Sequence, residues 1–244
     1  RWGMHKRIAL KIVSFLGTGP GGIIAGFMAS TAFLSMWISN TATTIMMFAV
    51  GLSVIDFISK KAPDRIQARN FGVALMLGIA YSASIGGVGT LIGTPPNALL
   101  ASFLESSYKI QIDFFTWMQM GVPVVLVMLP IAWALLTRVV FPVWELNIGD
   151  ASGVIKSEIA GLGPMSKGEK AVAIVFICAA LGWILRKQLV GLTGLPINDT
   201  AIAITAATVL FAWPISREKG HFALDWEAAR NVPWGVLILF GGGI

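Results

Sequence analysis

The sequence predicts an all-α, polytopic membrane protein containing a re-entrant helical hairpin and a broken transmembrane helix. Composition is the first reason. Apolar residues fill 56% of the 244 positions and charged residues only 12%, about half the charged share of a soluble domain. The second reason is hydropathy, which averages +0.78. The third is charge patterning: short basic clusters separate long charge-free stretches, and a bilayer core of roughly 30 Å needs only about 20 apolar residues per helix.

The opening Arg1–Phe15 mixes basic and apolar residues. It reads either as a helix lying along the interface or as a plain juxtamembrane loop. No charge occurs between Lys11 and Asp56, a stretch too long for one helix. Arg1, Lys6, Arg7 and Lys11 precede it, and Lys60, Lys61, Arg65 and Arg69 follow it. Basic flanks face the cytoplasm, so both ends lie on one side. The stretch crosses twice or enters and turns back. Its middle, Ser39-Asn40-Thr41-Ala42-Thr43-Thr44, suits a buried polar tip, which favours the re-entrant hairpin. Irregular backbone at membrane depth is tolerated only where protein or a watery cavity covers it.

The next charge-free stretch, between Arg69 and Glu105, is interrupted by Ser84-Ile85-Gly86-Gly87-Val88-Gly89-Thr90-Leu91-Ile92-Gly93-Thr94-Pro95-Pro96-Asn97. Such a run of glycines and prolines cannot continue a regular helix. It predicts a discontinuous helix, with Pro95-Pro96 holding the unwound strand open and Asn97 capping the helix that resumes. Phe114–Thr137 then returns inward as an unbroken helix. Residues 138–170 form a cytoplasmic linker. Helices near 168–190 and 198–216 follow, and a last apolar run begins at Asn231. This topology places fifteen Lys and Arg residues inside and only Lys109, Arg186 and Lys187 outside. Arg186-Lys187 is the one mild violation. Residues 1–12, 56–70 and 138–170 are then cytoplasmic, in a plasma (inner) membrane. The chain is expected to be a piece of a longer one.

Ser35, Ser39, Asn40, Thr41 and Thr43 are the first candidates for chemistry. A helix starting at the hairpin tip points unpaired N–H groups there, and their partial positive charge favours a carboxylate. Ser hydroxyls and freed carbonyls are hard oxygen ligands for sodium. A single Ser or Thr in a membrane helix is usually bonded to its own backbone. A cluster with Asn in an overlong stretch favours function. Gly86–Asn97 reads the same way, because glycine permits close backbone approach. The alternative there is a kink that matters for packing alone.

Other signals carry less. Gly17-Thr18-Gly19-Pro20-Gly21-Gly22 fits G-x-G-x-x-G but lacks the βαβ context of a dinucleotide fingerprint, and reads as a hinge. His5 and His221 have no metal-ligand spacing. Asn198-Asp199-Thr200 is a sequon that abuts the membrane. Trp117, Trp144, Trp226 and Trp234 look like interfacial anchors. Cys178 is the single cysteine and excludes an intrachain disulfide. The net charge of +6 is juxtamembrane and points to no nucleic acid. No nucleophile–base pair or paired carboxylates lie in the apolar segments, so no enzyme is predicted.

Ser39-Asn40-Thr41, Gly93-Thr94-Pro95-Pro96-Asn97 and Val232-Pro233-Trp234-Gly235-Val236-Leu237-Ile238-Leu239-Phe240-Gly241-Gly242-Gly243, in this order, resemble the divalent-anion:sodium symporter family of dicarboxylate carriers. Ser166–Trp183 and Asp199–Pro214 also look like that family's central helices. The resemblance covers the whole chain. It implies an elevator-type, inverted-repeat homodimer, of which this chain holds part. Residues 1–15 would be an interfacial arm, 16–140 part of the transport domain, 141–167 a linker, and 168–244 helices of the scaffold. It further implies sodium bound by Ser35, Ser39, Asn40 and backbone near Gly89 and Gly93, and an anion touching Asn40, Thr41, Thr94 and Pro95. The expected function is sodium-coupled transport of di- or tricarboxylates such as succinate, malate or citrate. An anion exchanger without sodium coupling and an ion channel are the alternatives.

Overall fold

A computed structural model describes residues 2–16, 19–61, 64–143, 146, 152–216, 221–230, 234, 235 and 238. The last family motif, residues 232–243, lies almost wholly outside the described residues, as do Gly17 and Thr18 of the hinge and Trp144. The chain forms two compact units. One comprises His5–Ala98 and Trp117–Gly163, and the other Arg1–Met4, Leu99–Thr116 and Pro164–Ile244.

In the first unit the opening segment is a helix, α1 (Met4–Leu16), which resolves the loop-or-helix alternative. Its Ala9, Leu10 and Val13 are buried against α2 (Pro20–Ser35). Contact is close enough that a side chain at Gly26 would come within 2.9 Å of the Val13 backbone. The Ser30 hydroxyl bonds the Ala9 carbonyl at 2.9 Å. Pro20 opens α2 at a position where its missing N–H costs nothing. Apolar on every side, α2 buries most of its residues, as expected of a helix without a polar face.

A four-residue turn leads to α3 (Asn40–Lys61), and α4 (Arg65–Gly87) follows, N-capped by Asp64. Phe27, Phe71, Leu75 and Ile79 are fully buried in the shared core of α2, α3 and α4. The apolar length of α3, from Asn40 to Ile55, matches the 16 residues of α2. At 1.5 Å per residue these 16 residues are about 24 Å long, short of the roughly 30 Å core, but α3 runs on to Lys61 and is as a whole long and apolar enough to cross a membrane. The remaining turns of α3 carry Asp56 and Lys60, which pair at 2.6 Å.

After α4 the chain is irregular until α5 (Pro95–Tyr108). The return helix α6 (Phe114–Ala134) contains Pro123 and Pro130 and ends in a π-helical turn, Leu135–Val140. The expectation of an unbroken α-helix to Thr137 is therefore corrected. Pro130 removes a backbone donor, and a wider turn is a common accommodation. The linker also holds a helix, α7 (Ser152–Gly161). Arg7 donates to the Leu162 and Gly163 carbonyls just beyond it.

In the second unit α8 (Lys167–Ile184) starts with a complete capping box between Ser166 and Glu169. The predicted helix near 168–190 is bent by 77° into α8 and α9 (Arg186–Thr193). The α9 helix stops at Gly194, whose φ of 68° suits glycine. Asn198 caps α10 (Asp199–Ala212), which ends four residues before the expected 216. Pro214–Ser216 (β1) instead pairs antiparallel with His221–Phe222 (β2), a small exception to the all-α expectation. A short α11 (Trp226–Ala229) follows. Among the described residues three helices are long and apolar enough to cross a membrane, and four if the bent pair counts as one span.

Candidate functional site

The first helix break closes α2 tightly. Amides of Met36, Trp37 and Ile38 bond back to Ala32 and Leu34 carbonyls. Ser39 then opens α3: its hydroxyl oxygen accepts from the Ala42 amide at 3.3 Å and its carbonyl from the Thr43 amide at 3.0 Å. Asn40 and Thr41 thus lie in the first turn of α3, rather than in a tip preceding it. Ser35, the last residue of α2, is fully buried, whereas Ser39 and Thr41 are exposed.

The second break begins where α4 ends, at Gly86 and Gly87. At Gly86 the backbone of α2 leaves no room for a side chain, since a Cβ there would fall inside the Ala32 backbone. At Gly87 a Cβ would sit 2.5 Å from Asn40 Oδ1 and 2.9 Å from its Nδ2. These two glycines let α4 touch the turn between α2 and α3. Gly93 is equally crowded against the Gly87 backbone. Gly89 faces the Met36 side chain, which can move aside. Both Gly89 and Gly93 are buried.

Four bonds hold this region, one between the two breaks and three on the second break. The buried Thr90 hydroxyl donates to the Met36 carbonyl across them. The Asn97 amide donates to the carbonyls of Gly87 and Thr90, each at 2.8 Å. Trp117 Nε1 donates to the Val88 carbonyl at 2.9 Å. Asn97 therefore does not cap α5; it ties the start of α5 back to the end of α4. Pro95 and Pro96, expected to hold a strand open, are the first two residues of α5, where proline's fixed φ suits a helix start.

Ser35 and Asn40 come together as the sequence suggests. The Ser35 hydroxyl lies 2.6 Å from Asn40 Oδ1 and 2.7 Å from the Ala83 carbonyl oxygen. A hydroxyl carries one proton, so it satisfies only one of these oxygens at a time. Three neutral oxygens around one proton make an electron-rich cluster that fits a hard cation. Ser39 uses its hydroxyl as a cap, and its remaining lone pair stays exposed. Thr41 in α3, and Thr94 and Pro95 at the start of α5, lie at two helix N-termini. No bond joins Thr41 to Thr94 or Pro95 among the described residues. Sequence reasoning missed the Ala83 carbonyl, Thr90 and Trp117. Only the Gly86-Gly87 pair signalled close approach beforehand.

Paired helix breaks lined by neutral oxygens, in a chain with membrane-length helices, are the architecture that multi-pass membrane carriers place around their sites. The chain belongs to the family described as the sodium:sulfate symporter transmembrane region, which it matches over residues 1–244. Members of that family are symporters, not enzymes. It is 39% identical over 252 residues to a sodium-dependent dicarboxylate transporter, SdcS, of Staphylococcus saprophyticus. It is also 39% identical over 254 residues to the SdcS of Staphylococcus aureus strain USA300. Both alignments cover 100% of this chain and 48% of the relative, so the chain spans about half the length of these relatives.

Proposed function

We propose that the full-length protein carries di- or tricarboxylate anions across the plasma membrane together with sodium, and that this chain contributes part of the binding site. The carrying observation is the proton-poor cluster of Ser35, Asn40 and the Ala83 carbonyl between two helix breaks. It supports Ser35, Ser39 and Asn40, with backbone near Gly89 and Gly93, as the sodium site. The N-terminus of α3 offers the anion the amides of Asn40 and Thr41 at a positive dipole end; α5 opens on Pro95 and Pro96, which carry no N–H, and offers the Thr94 hydroxyl beside its own dipole end. Asn40, Thr41, Thr94 and Pro95 then line the anion site, and Pro95 supplies shape because it has no N–H. The turn between α2 and α3 is read as the tip of a re-entrant hairpin, because α2 has only 16 residues and basic clusters flank both ends of the pair. The remaining architecture follows the family resemblance: a homodimer with an arm at 1–15, transport-domain residues 16–140, a linker at 141–167 and scaffold helices from 168.

Labelled succinate uptake by the full-length protein in liposomes, with and without a sodium gradient, tests the reading. Uptake indifferent to sodium would leave exchange or channel flux in its place. A hydrogen bond to a charged partner is worth about 1.5–3 kcal/mol, and each 1.4 kcal/mol is about tenfold. Thr41→Ala or Thr94→Ala should therefore weaken substrate affinity about ten- to a hundredfold. Thr208→Ala should not, because that hydroxyl bonds only its own helix at Ile204. Indistinguishable titrations for Thr41→Ala and Thr208→Ala would remove Thr41 from the anion site.

A further inference from the structure

Thr43 is the one buried Ser or Thr among the described residues whose hydroxyl has no partner. It is 1% exposed, and its Oγ1 makes no hydrogen bond. The contrast with buried hydroxyls on neighbouring helices is sharp. Thr31, Ser82 and Thr137, equally buried, each have the carbonyl four residues earlier as an acceptor, and Ser30 has that carbonyl or the one of Ala9. For Thr43 that acceptor would be the Ser39 carbonyl, which instead takes the Thr43 amide alone. A buried hydroxyl without a partner is costly. It persists where a ligand completes it.

Its placement says which ligand. Thr43 follows Asn40 by three residues and Ser39 by four, so it shares their face of α3. That face continues through the buried Met47, Val50, Val54 and Ile58. Helical side chains lean toward the N-terminus and lie over the preceding turn. The Thr43 side chain is therefore carried toward the Ser39–Asn40 turn, the turn whose Asn40 carboxamide oxygen meets Ser35. We propose that Thr43 Oγ1 is a further neutral oxygen ligand of the cation held by Ser35 and Asn40. The inference rests on the sodium reading above and deepens its site.

The test uses the full-length protein in detergent, following the rise in Tm as sodium replaces choline, for the parent, Thr43→Val, Thr43→Ser and Asn40→Ala. Valine keeps the shape of threonine and removes the oxygen. Losing one ligand of the cation should raise the sodium concentration for half-maximal stabilisation roughly tenfold, corresponding to about 1.4 kcal/mol. In sodium-free buffer Thr43→Val should be as stable as the parent or more so, because an uncompensated hydroxyl is gone. Thr43→Ser should titrate like the parent. A Thr43→Val protein that titrates like the parent overturns the inference. So does one that is less stable than the parent without sodium, since the hydroxyl would then have a protein partner. The Asn40→Ala arm separates the two claims: if it shifts and Thr43→Val does not, only Thr43 leaves the site. If neither shifts, the sodium reading falls with it.

Discussion

Two residues with opposite demands meet at the centre of the site. Asn40 brings a carboxamide to the first turn of α3, and Gly87 brings no side chain at all, which is what lets α4 approach it. A methyl group at Gly87 would lie 2.5 Å from Asn40 Oδ1, too close for any real contact. Asn40 would have to turn away from Ser35. Gly87→Ala should therefore abolish sodium-stimulated uptake and cost about 1–3 kcal/mol of stability, the usual range for overpacking. Gly191→Ala is the control, since nothing lies near that position. Equal uptake by the two variants in liposomes would show that the approach of Gly87 to Asn40 is dispensable.

At the scale of elements, the pairing of α2 with α3 and the ion cluster of the second unit each make a measurable statement. If the apolar arms of α2 and α3 form a re-entrant hairpin, cysteines placed at Lys11 and Lys60 should both react with an impermeant reagent from the cytoplasmic side only. Labelling from opposite faces would make α2 and α3 cross separately. The elbow of α8 and α9 explains the mild charge violation at Arg186-Lys187. Asp113 Oδ2 lies 3.0 Å from Arg186 Nη2 and 3.2 Å from Lys187 Nζ. Asp199 pairs with Arg186 at 3.5 Å and accepts from the Phe114 amide at 2.9 Å. Burial works to raise the Asp113 pKa, but bonds from the Thr116 hydroxyl and amide and the Lys187 ammonium outweigh it and lower the value to about 2. A carboxylate with a lowered folded-state pKa contributes stability above its unfolded pKa, near 4, and loses it as pH falls through the folded value. Asp113→Asn should thus lower Tm at neutral pH. The gap to the parent should narrow between about pH 4 and pH 2. A gap that stays constant over that window would show that charge at Asp113 contributes nothing.

At the scale of the molecule, the chain supplies paired helix breaks but spans about half the length of its relatives. Carriers with inverted repeats build their midplane sites from both repeats. Residues 1–244 expressed alone should accordingly insert but show no sodium-dependent succinate uptake, while the full-length protein transports. Sodium-driven uptake by the 244-residue chain in liposomes would mean that one set of breaks suffices.

The sequence alone determined what local chemistry dictates. Charge-free lengths set the membrane class, Ser39-Asn40-Thr41 marked the first break, and the glycines and prolines of Gly86–Asn97 marked the second, because polarity, backbone freedom and missing N–H groups act on the residues that carry them. Even there, Pro95 and Asn97 act one step away from what their type suggests: proline is as good at starting a helix as at ending one, and an amide near a helix start has several carbonyls to choose from. Only the tertiary structure decided which break touches which. The meeting of Ser35 with the Ala83 carbonyl, 48 residues later, depends on how α2 packs along α4. The same is true of Thr90 bonding Met36 and of Asn40 resting on Gly87. The pairing of Arg186 with Asp113 likewise depends on the 77° bend after α8. Contacts between positions far apart in the chain are fixed by the packing of whole helix faces, and no local pattern records them.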